Sequence, residues 1–199
     1  MEELLNRIEN KEVVIGVIGL GYVGLPLCRE FIQGGAKVIG FDIDPKKIDT
    51  INQKKTYILH LPYETIASMI ESELFSVTSN FDRLNEPDAI LIAVPTPLNK
   101  MREPDLSFVE TSCLEIAKNL RKGQLDVLES TTYPGTTREI IQPILEKGSG
   151  LSIYNKDYFL AYFPEREDPG RKDFSTKTIP KVIGGYNEAS LTDDVANYK

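Results

Sequence analysis

Residues 13–26 read VVIGVIGLGYVGLP, and three local patterns meet in them. Val13, Val14, Ile15, Val17 and Ile18 form a nearly unbroken apolar run, the pattern of a strand buried on both faces of a parallel sheet. Gly19, Gly21 and Gly24 follow with G-x-G-x-x-G spacing, and an apolar helical pattern continues through Leu25, Leu27, Cys28, Phe31 and Ile32 to the helix-ending pair Gly34 and Gly35. Each glycine has a separate physical task. Gly19 permits a tight turn, Gly21 lets the backbone approach a pyrophosphate, and Gly24 lets the helix pack closely on the strand. The free N–H groups of the helix N-terminus then face the phosphates.

A glycine spacing alone is weak evidence, since a glycine-rich turn without a ligand has the same letters. The next strand supplies the second half of the fingerprint. Residues 37–42, KVIGFD, end in Asp42, 23 residues after Gly19, where a carboxylate accepts hydrogen bonds from adenosine ribose hydroxyls. A carboxylate there disfavours a 2′-phosphate, so NAD is expected over NADP. Asp44 and Pro45 predict an N-cap and first-turn proline for a helix over residues 46–54. Lys47, at its start, reads equally as a solvated surface lysine or as a cofactor contact.

Composition bounds the remaining possibilities. The chain has 199 residues, 41% hydrophobic and 27% charged, an ordinary globular balance for one good-sized domain. A net charge of −7 argues against a nucleic-acid or membrane-surface partner, each of which needs a basic face. No apolar run approaches a membrane span, and the charged N-terminus MEELLNRIENKE does not resemble a signal peptide. Two cysteines, Cys28 and Cys113, fall on predicted buried helix faces, so no disulfide framework is expected, and the expected location is cytoplasmic. No metal site is read.

Further along, the pattern of strands alternating with helices predicts an α/β fold: a Rossmann-like, doubly wound, mostly parallel sheet with helices on both faces. A short amphipathic helix over residues 1–12 leads into the first strand. A helix over 63–73, a strand over 76–79, a strong strand over 88–94 and a helix over 106–121 capped by Asp105 and closed by Gly123 follow. Next come a strand over 124–129, a helix over 136–147 ending at Gly148, a strand over 158–163, a short strand over 180–185 and a terminal helix capped by Asn187. His60, the single histidine, lies in the irregular connection TYILHLP and reads as structural.

Ligands of such sheets sit at the carboxyl ends of the strands. There the sequence brings Pro95 and Thr96 after the fourth strand, Thr131 after the fifth and Glu165 after the sixth. Taken singly, each threonine is a strand-end cap and Glu165 a surface charge; together they outline a site where a nicotinamide and its substrate meet.

Five motifs in order, GLGYVGLP, FDID, VPTP, STTYPGTT and FPEREDPG, resemble the UDP-glucose/GDP-mannose dehydrogenase family of nucleotide-sugar dehydrogenases. The forms YILHLP, REPDLSFVE and PEREDPG resemble most its UDP-N-acetylglucosamine 6-dehydrogenase branch. The resemblance implies NAD-dependent oxidation of a sugar C6 alcohol to a carboxylate by two hydride transfers, with a UDP-sugar as substrate. It implies cofactor contacts from Gly19, Leu20, Gly21, Tyr22, Val23, Gly24, Asp42, Lys47, Pro95, Thr96 and Thr131. It implies catalytic roles for Thr131, which positions a water, and for Glu165, an acid/base, and places Glu165, Arg166 and Glu167 at the sugar nucleotide.

The family uses a nucleophilic cysteine in a GGxCxPKD-type segment, a context neither Cys28 nor Cys113 has. The whole chain is therefore expected to be a single NAD-binding domain, residues 1–199. It would form the N-terminal half of a longer enzyme that dimerises, or assembles further, through a central helix. UDP-glucose and UDP-N-acetylgalactosamine remain alternative substrates, and on its own the chain is expected to bind NAD without turnover. A 3-hydroxyacid or 6-phosphogluconate type of dehydrogenase shares the first motif alone.

Overall fold

A computed structural model describes residues 2–59 and 61–164 and the backbone of residues 184–185. The first strand, β1 (Val14–Ile18), is central, and its apolar run is buried as its composition requires. It pairs in parallel with β2 (Lys37–Phe41) on one side and with β4 (Ala89–Ile92) on the other. Outside β2 lies β3 (Phe75–Thr78); outside β4 lie β5 (Leu125–Leu128) and β6 (Phe159–Tyr162), all parallel. A two-residue β7 (Gly184–Gly185) closes the far edge antiparallel to β6. The spatial order β3-β2-β1-β4-β5-β6-β7 is the doubly wound arrangement expected of the strand–helix alternation.

Successive strand residues face opposite layers. Ile15 and Val17 of β1, Leu91 of β4 and Val127 of β5 meet Leu25, Leu27 and Cys28 of α2 (Gly24–Gly34). Ile48 and Ile51 of α3 (Pro45–Asn52) and Ile66 and Met69 of α4 (Tyr63–Glu71) cover the same face. The intervening residues, Ile18, Ile90, Ile92 and Leu128, meet Val109, Cys113 and Ile116 of α5 (Ser107–Asn119) and Leu145 of α6 (Gln142–Ser149). Cys28 and Cys113 are both buried, one in each layer, with the sheet between them. Among the described residues, no helix is long and apolar enough to cross a membrane.

The end opposite the strands' carboxyl edge is clamped by Asp88. It is 3% exposed and accepts from Val14 N–H at 2.9 Å while pairing with Arg7 at 2.9 Å and Arg121 at 2.5 Å. Arg7 belongs to α1 (Glu2–Glu9), so the N-terminal helix is tied to the start of β4 as well as packed through Leu4.

Several helix ends differ from the sequence reading. Gly123 has φ +82 but follows α5 by four residues, because the helix stops at Asn119 with Leu120 already extended. Gly148 lies inside α6, where its missing side chain lets Ala117 approach; a Cβ there would meet Ala117 Cβ at 2.6 Å. Gly150, with φ +73, takes the left-handed capping position instead. The helix read over 136–147 opens as a π-turn, Thr137–Ile141, before α6. Pro143 has no N–H to return to the carbonyl of Glu139, and the wider turn accommodates that gap. The cap position of α5 is Leu106, not Asp105 as read, and Asp105, one residue earlier, accepts from Ser107 N–H at 3.0 Å. The expected terminal helix from Asn187 lies outside the described residues.

Asp126 is the exception in the core. It sits on β5 between Ile90 and Leu160, fully buried, with no hydrogen-bond partner on either carboxyl oxygen. Burial without a partner disfavours the charged form and pushes its pKa up to about 8. The unfolded chain ionises this group near pH 4, while the folded protein keeps it protonated, so the native state binds the extra proton between those values. Its contribution to stability therefore falls as pH rises from about 4 to about 8, by at most about 1.4 kcal/mol per pH unit. Asp126→Asn is expected to gain stability over the parent chain progressively from pH 5 to pH 7.5. Denaturant unfolding across that range measures the difference; a constant difference would remove the protonated assignment.

Candidate functional site

The site is built where β1 ends. Gly19 turns the chain with φ +94, a left-handed conformation, and donates its N–H to Phe41 carbonyl at 2.8 Å. A Cβ on Gly19 would lie 2.6 Å from the Ala93 carbonyl oxygen, so the end of β4 is also packed against this turn. Gly24 begins α2 directly over the turn, and a Cβ there would lie 1.9 Å from the Gly19 carbonyl oxygen. Gly21, between them, has open space where its Cβ would be. Two of the three glycines are thus demanded by packing of the protein against itself, and the middle one leaves a gap.

Leu20 is fully buried, and its peptide groups are held from both sides. Its N–H donates to Asp42 Oδ2 at 3.0 Å, and its carbonyl accepts from the Tyr57 hydroxyl at 2.5 Å. Its side chain enters the notch left by Gly40 of β2, where a Cβ would meet Leu20 Cδ2 at 2.8 Å. Asp42, 4% exposed, does more than terminate β2. Oδ2 also receives Lys47 Nζ at 2.8 Å, and Oδ1 accepts from Asp44 N–H at 2.9 Å. Three protein donors leave about one acceptor site of the carboxylate for another partner. Lys47 is thus neither a plain surface lysine nor a free cation: it neutralises Asp42 while keeping about a third of its side chain exposed. Asp44 caps α3 by accepting from Lys46 N–H at 2.9 Å, with Pro45 in the first turn as the sequence predicts.

The amides of Gly21 and Val23 make no hydrogen bond among the described residues, and they lie beside the N-terminus of α2, where the helix dipole favours negative charge. Open space at Gly21, unpaired amides and a carboxylate at the end of the neighbouring strand suit a pyrophosphate flanked by a ribose.

The neighbouring strand ends are pinned together by a residue to which the sequence reading assigned no role. Ser130, 6% exposed, donates its hydroxyl to Val94 carbonyl at 2.7 Å and to Ile92 carbonyl at 3.1 Å. That bond sets the exit of β4, which carries Pro95 and Thr96, beside the exit of β5, which carries Thr131. Pro95 and Thr131 are exposed and Thr96 is half-buried, so these groups line an open edge. Beyond them Gly135, with φ +99, and the bond between Thr132 and Thr136 hydroxyls (2.6 Å) shape the turn into the π-helix. Glu165, Arg166, Glu167 and His60 lie outside the described residues. Tyr57 and the exposed Ile43 beside Asp42 carry no motif signal in the sequence; Tyr57 acquires its place through packing.

Neither cysteine has nucleophile character. Burial pushes both thiols far up, assisted at Cys113 by Asp126 and Glu110, so each remains a neutral core group.

These features define a dinucleotide-binding domain of the Rossmann type. Residues 13–198 match the family described as UDP-glucose/GDP-mannose dehydrogenase family, NAD binding domain, and the chain belongs to that family. It is 40% identical over 189 residues to a UDP-N-acetyl-D-glucosamine 6-dehydrogenase of Pseudomonas aeruginosa, covering 93% of this chain and 43% of that protein. A UDP-N-acetyl-D-mannosamine dehydrogenase of Escherichia coli (strain K12) is 37% identical over 180 residues, 86% of this chain and 41% of that one. Among solved structures, the NDP-N-acetyl-D-galactosaminuronic acid dehydrogenase of Methanosarcina mazei Go1 superposes with a TM-score of 0.88 at 34% identity, over 99% of this chain and 43% of that chain. The chain thus spans less than half the length of these relatives. The family's cofactor is NAD, and the residues around Gly21 fit it.

The glycines separate packing from ligand contact. Gly24→Ala is expected to lower stability by about 3 kcal/mol, since the backbone of Gly19 cannot yield as a flexible side chain would. Gly21→Ala, entering open space, is expected to leave thermal stability nearly unchanged and to weaken NAD at least tenfold. Thermal unfolding and calorimetric titration of the two variants measure the contrast.

Proposed function

We propose that this chain is the NAD-binding part of a longer nucleotide-sugar 6-dehydrogenase, which oxidises the C6 alcohol of a UDP-sugar to the carboxylate. The observation that carries the cofactor part is the juxtaposition at the end of β1: unpaired Gly21 and Val23 amides beside open space, with the Asp42 carboxylate one strand away. In this reading Gly19, Leu20, Gly21, Tyr22, Val23 and Gly24 form the pyrophosphate loop, and Asp42 receives the adenosine ribose. Lys47 Nζ pairs with the Asp42 carboxylate at 2.8 Å, and Ile43, 73% exposed, offers an apolar surface to the adenine. Pro95, Thr96 and Thr131 stand toward the nicotinamide end.

The nicotinamide, when bound, supplies the hydride acceptor; the protein supplies orientation and proton handling. Oxidising an alcohol to a carboxylate removes two hydrides and adds one water oxygen. Thr131 positions that water, Glu165 is the acid/base, and Glu165, Arg166 and Glu167 meet the sugar nucleotide. The nucleophile belongs to a further segment of the longer protein, which also carries its homo-oligomeric contacts, and the protein works in the cytoplasm.

UDP-N-acetylglucosamine is the favoured substrate, supported by the sequence likeness to the Pseudomonas aeruginosa enzyme; relatives whose names carry other N-acetylated sugars keep the sugar itself open to test. The 199-residue chain is expected to bind NAD and, mixed with NAD and a panel of UDP-sugars, to form no NADH. Steady NADH production by these residues would overturn the division of labour. The longer protein is expected to release two NADH per UDP-N-acetylglucosamine consumed.

Cofactor choice is read separately. NAD is expected to bind at least tenfold tighter than NADP in calorimetry, because a 2′-phosphate meets the Asp42 carboxylate. Asp42→Ala is expected to weaken NAD by about 1.5–3 kcal/mol for each charge-assisted hydrogen bond lost and to narrow the preference. Equal affinities in the parent chain would discard the carboxylate argument.

A further inference from the structure

The loop that carries Gly21 has a weakness built into it. Rotating the peptide between Leu20 and Gly21 changes ψ of one residue and φ of the next, and glycine accepts either sign of φ at little cost. Nothing in Gly21 itself, with open space around it, resists such a flip. In a planar trans peptide the carbonyl and the N–H point in opposite directions, so whatever fixes the Leu20 carbonyl also aims the Gly21 N–H.

Tyr57 fixes that carbonyl. Its hydroxyl donates to Leu20 O at 2.5 Å from a segment 37 positions away in sequence, between α3 and α4. The ring is half-buried and packs on the layer formed by α2, α3 and α4, with Lys47 Nζ 6.0 Å from its centroid. Burial above all, then the charges of Asp42 and Asp44, push the phenol above its ordinary pKa, so it stays a donor across the working pH range. The Asp42–Leu20 bond holds the peptide before Leu20, and the Tyr57 bond holds the peptide after it. The two act on different planes, and the second borders the unpaired amide.

We propose that Tyr57 is a positioning residue for the dinucleotide: by holding the Leu20 carbonyl it presents the Gly21 N–H to the pyrophosphate. This rests on the cofactor reading above and adds to it a residue outside the glycine motif. The bond is worth making before the ligand arrives, since a loop already in its binding conformation loses less freedom on binding.

Tyr57→Phe keeps the ring and its packing and removes the hydroxyl alone. The variant is expected to bind NAD and ADP-ribose about tenfold more weakly than the parent chain, by the same factor for both. Adenosine, which has no pyrophosphate, is expected to bind within twofold of the parent value, and thermal stability to change little. Without any ligand, the Gly21 amide resonance is expected to be single in the parent chain and to broaden or double in the variant as the peptide samples both orientations. Unchanged NAD affinity would overturn the role, as would a loss shared equally by adenosine or an unaltered Gly21 resonance. If the parent chain itself fails to bind NAD, the cofactor reading falls; if it binds NAD and Tyr57→Phe binds equally well, the positioning role alone falls.

Discussion

The peptide groups of Leu20 are the constraint on which the site depends. A turn of three glycines in six residues has little intrinsic preference for one shape, and its entropy in the unfolded chain is high. Three contacts from outside the turn decide it: Asp42 on the N–H, Tyr57 on the carbonyl, and the Gly40 notch around the side chain. Each comes from β2 or from the chain that follows it, so the loop takes its shape only when the second strand has docked on the first. The glycine turn, the acidic strand end and the following connection are therefore one mechanical unit.

Three buried carboxylates show how differently the same group can be used. Asp88 is matched by two arginines and a backbone amide and holds the edge of the sheet away from the site. Asp42 is matched by Lys47 and two backbone amides, leaving one acceptor position at the edge where ligands bind. Asp126 is matched by nothing, and burial leaves it the neutral acid over most of the physiological range. Donors replace water around the first two; none does so for the third, and the fold carries it at a cost that depends on pH.

Much of the architecture was readable because the signals are local. The apolar run before Gly19, the Asp44–Pro45 helix start and the left-handed Gly35 each follow from one residue type's own conformational limits, and the structure has each where the pattern puts it. Gly148 departs from its pattern for the complementary reason. A glycine marks either a left-handed residue or a close approach, and Gly148 is the second kind, made necessary by Ala117 on another helix. The π-turn before α6 likewise depends on how Pro143 is accommodated, which periodicity does not show.

The same division holds for the site. The chain's order of residues determined that a pyrophosphate loop, an acidic strand end and polar strand exits would occur, since these are properties of spacing along one strand–turn–helix unit and its successors. Tertiary structure alone decided that Asp42 would spend most of its acceptor capacity on the protein, that Ser130 would join two strand exits, and that Tyr57 would reach Leu20 across 37 positions. Those contacts join segments that meet only when the sheet is assembled. A hydrogen bond's direction is set by where its partner has been packed, and no spacing rule along the chain encodes that.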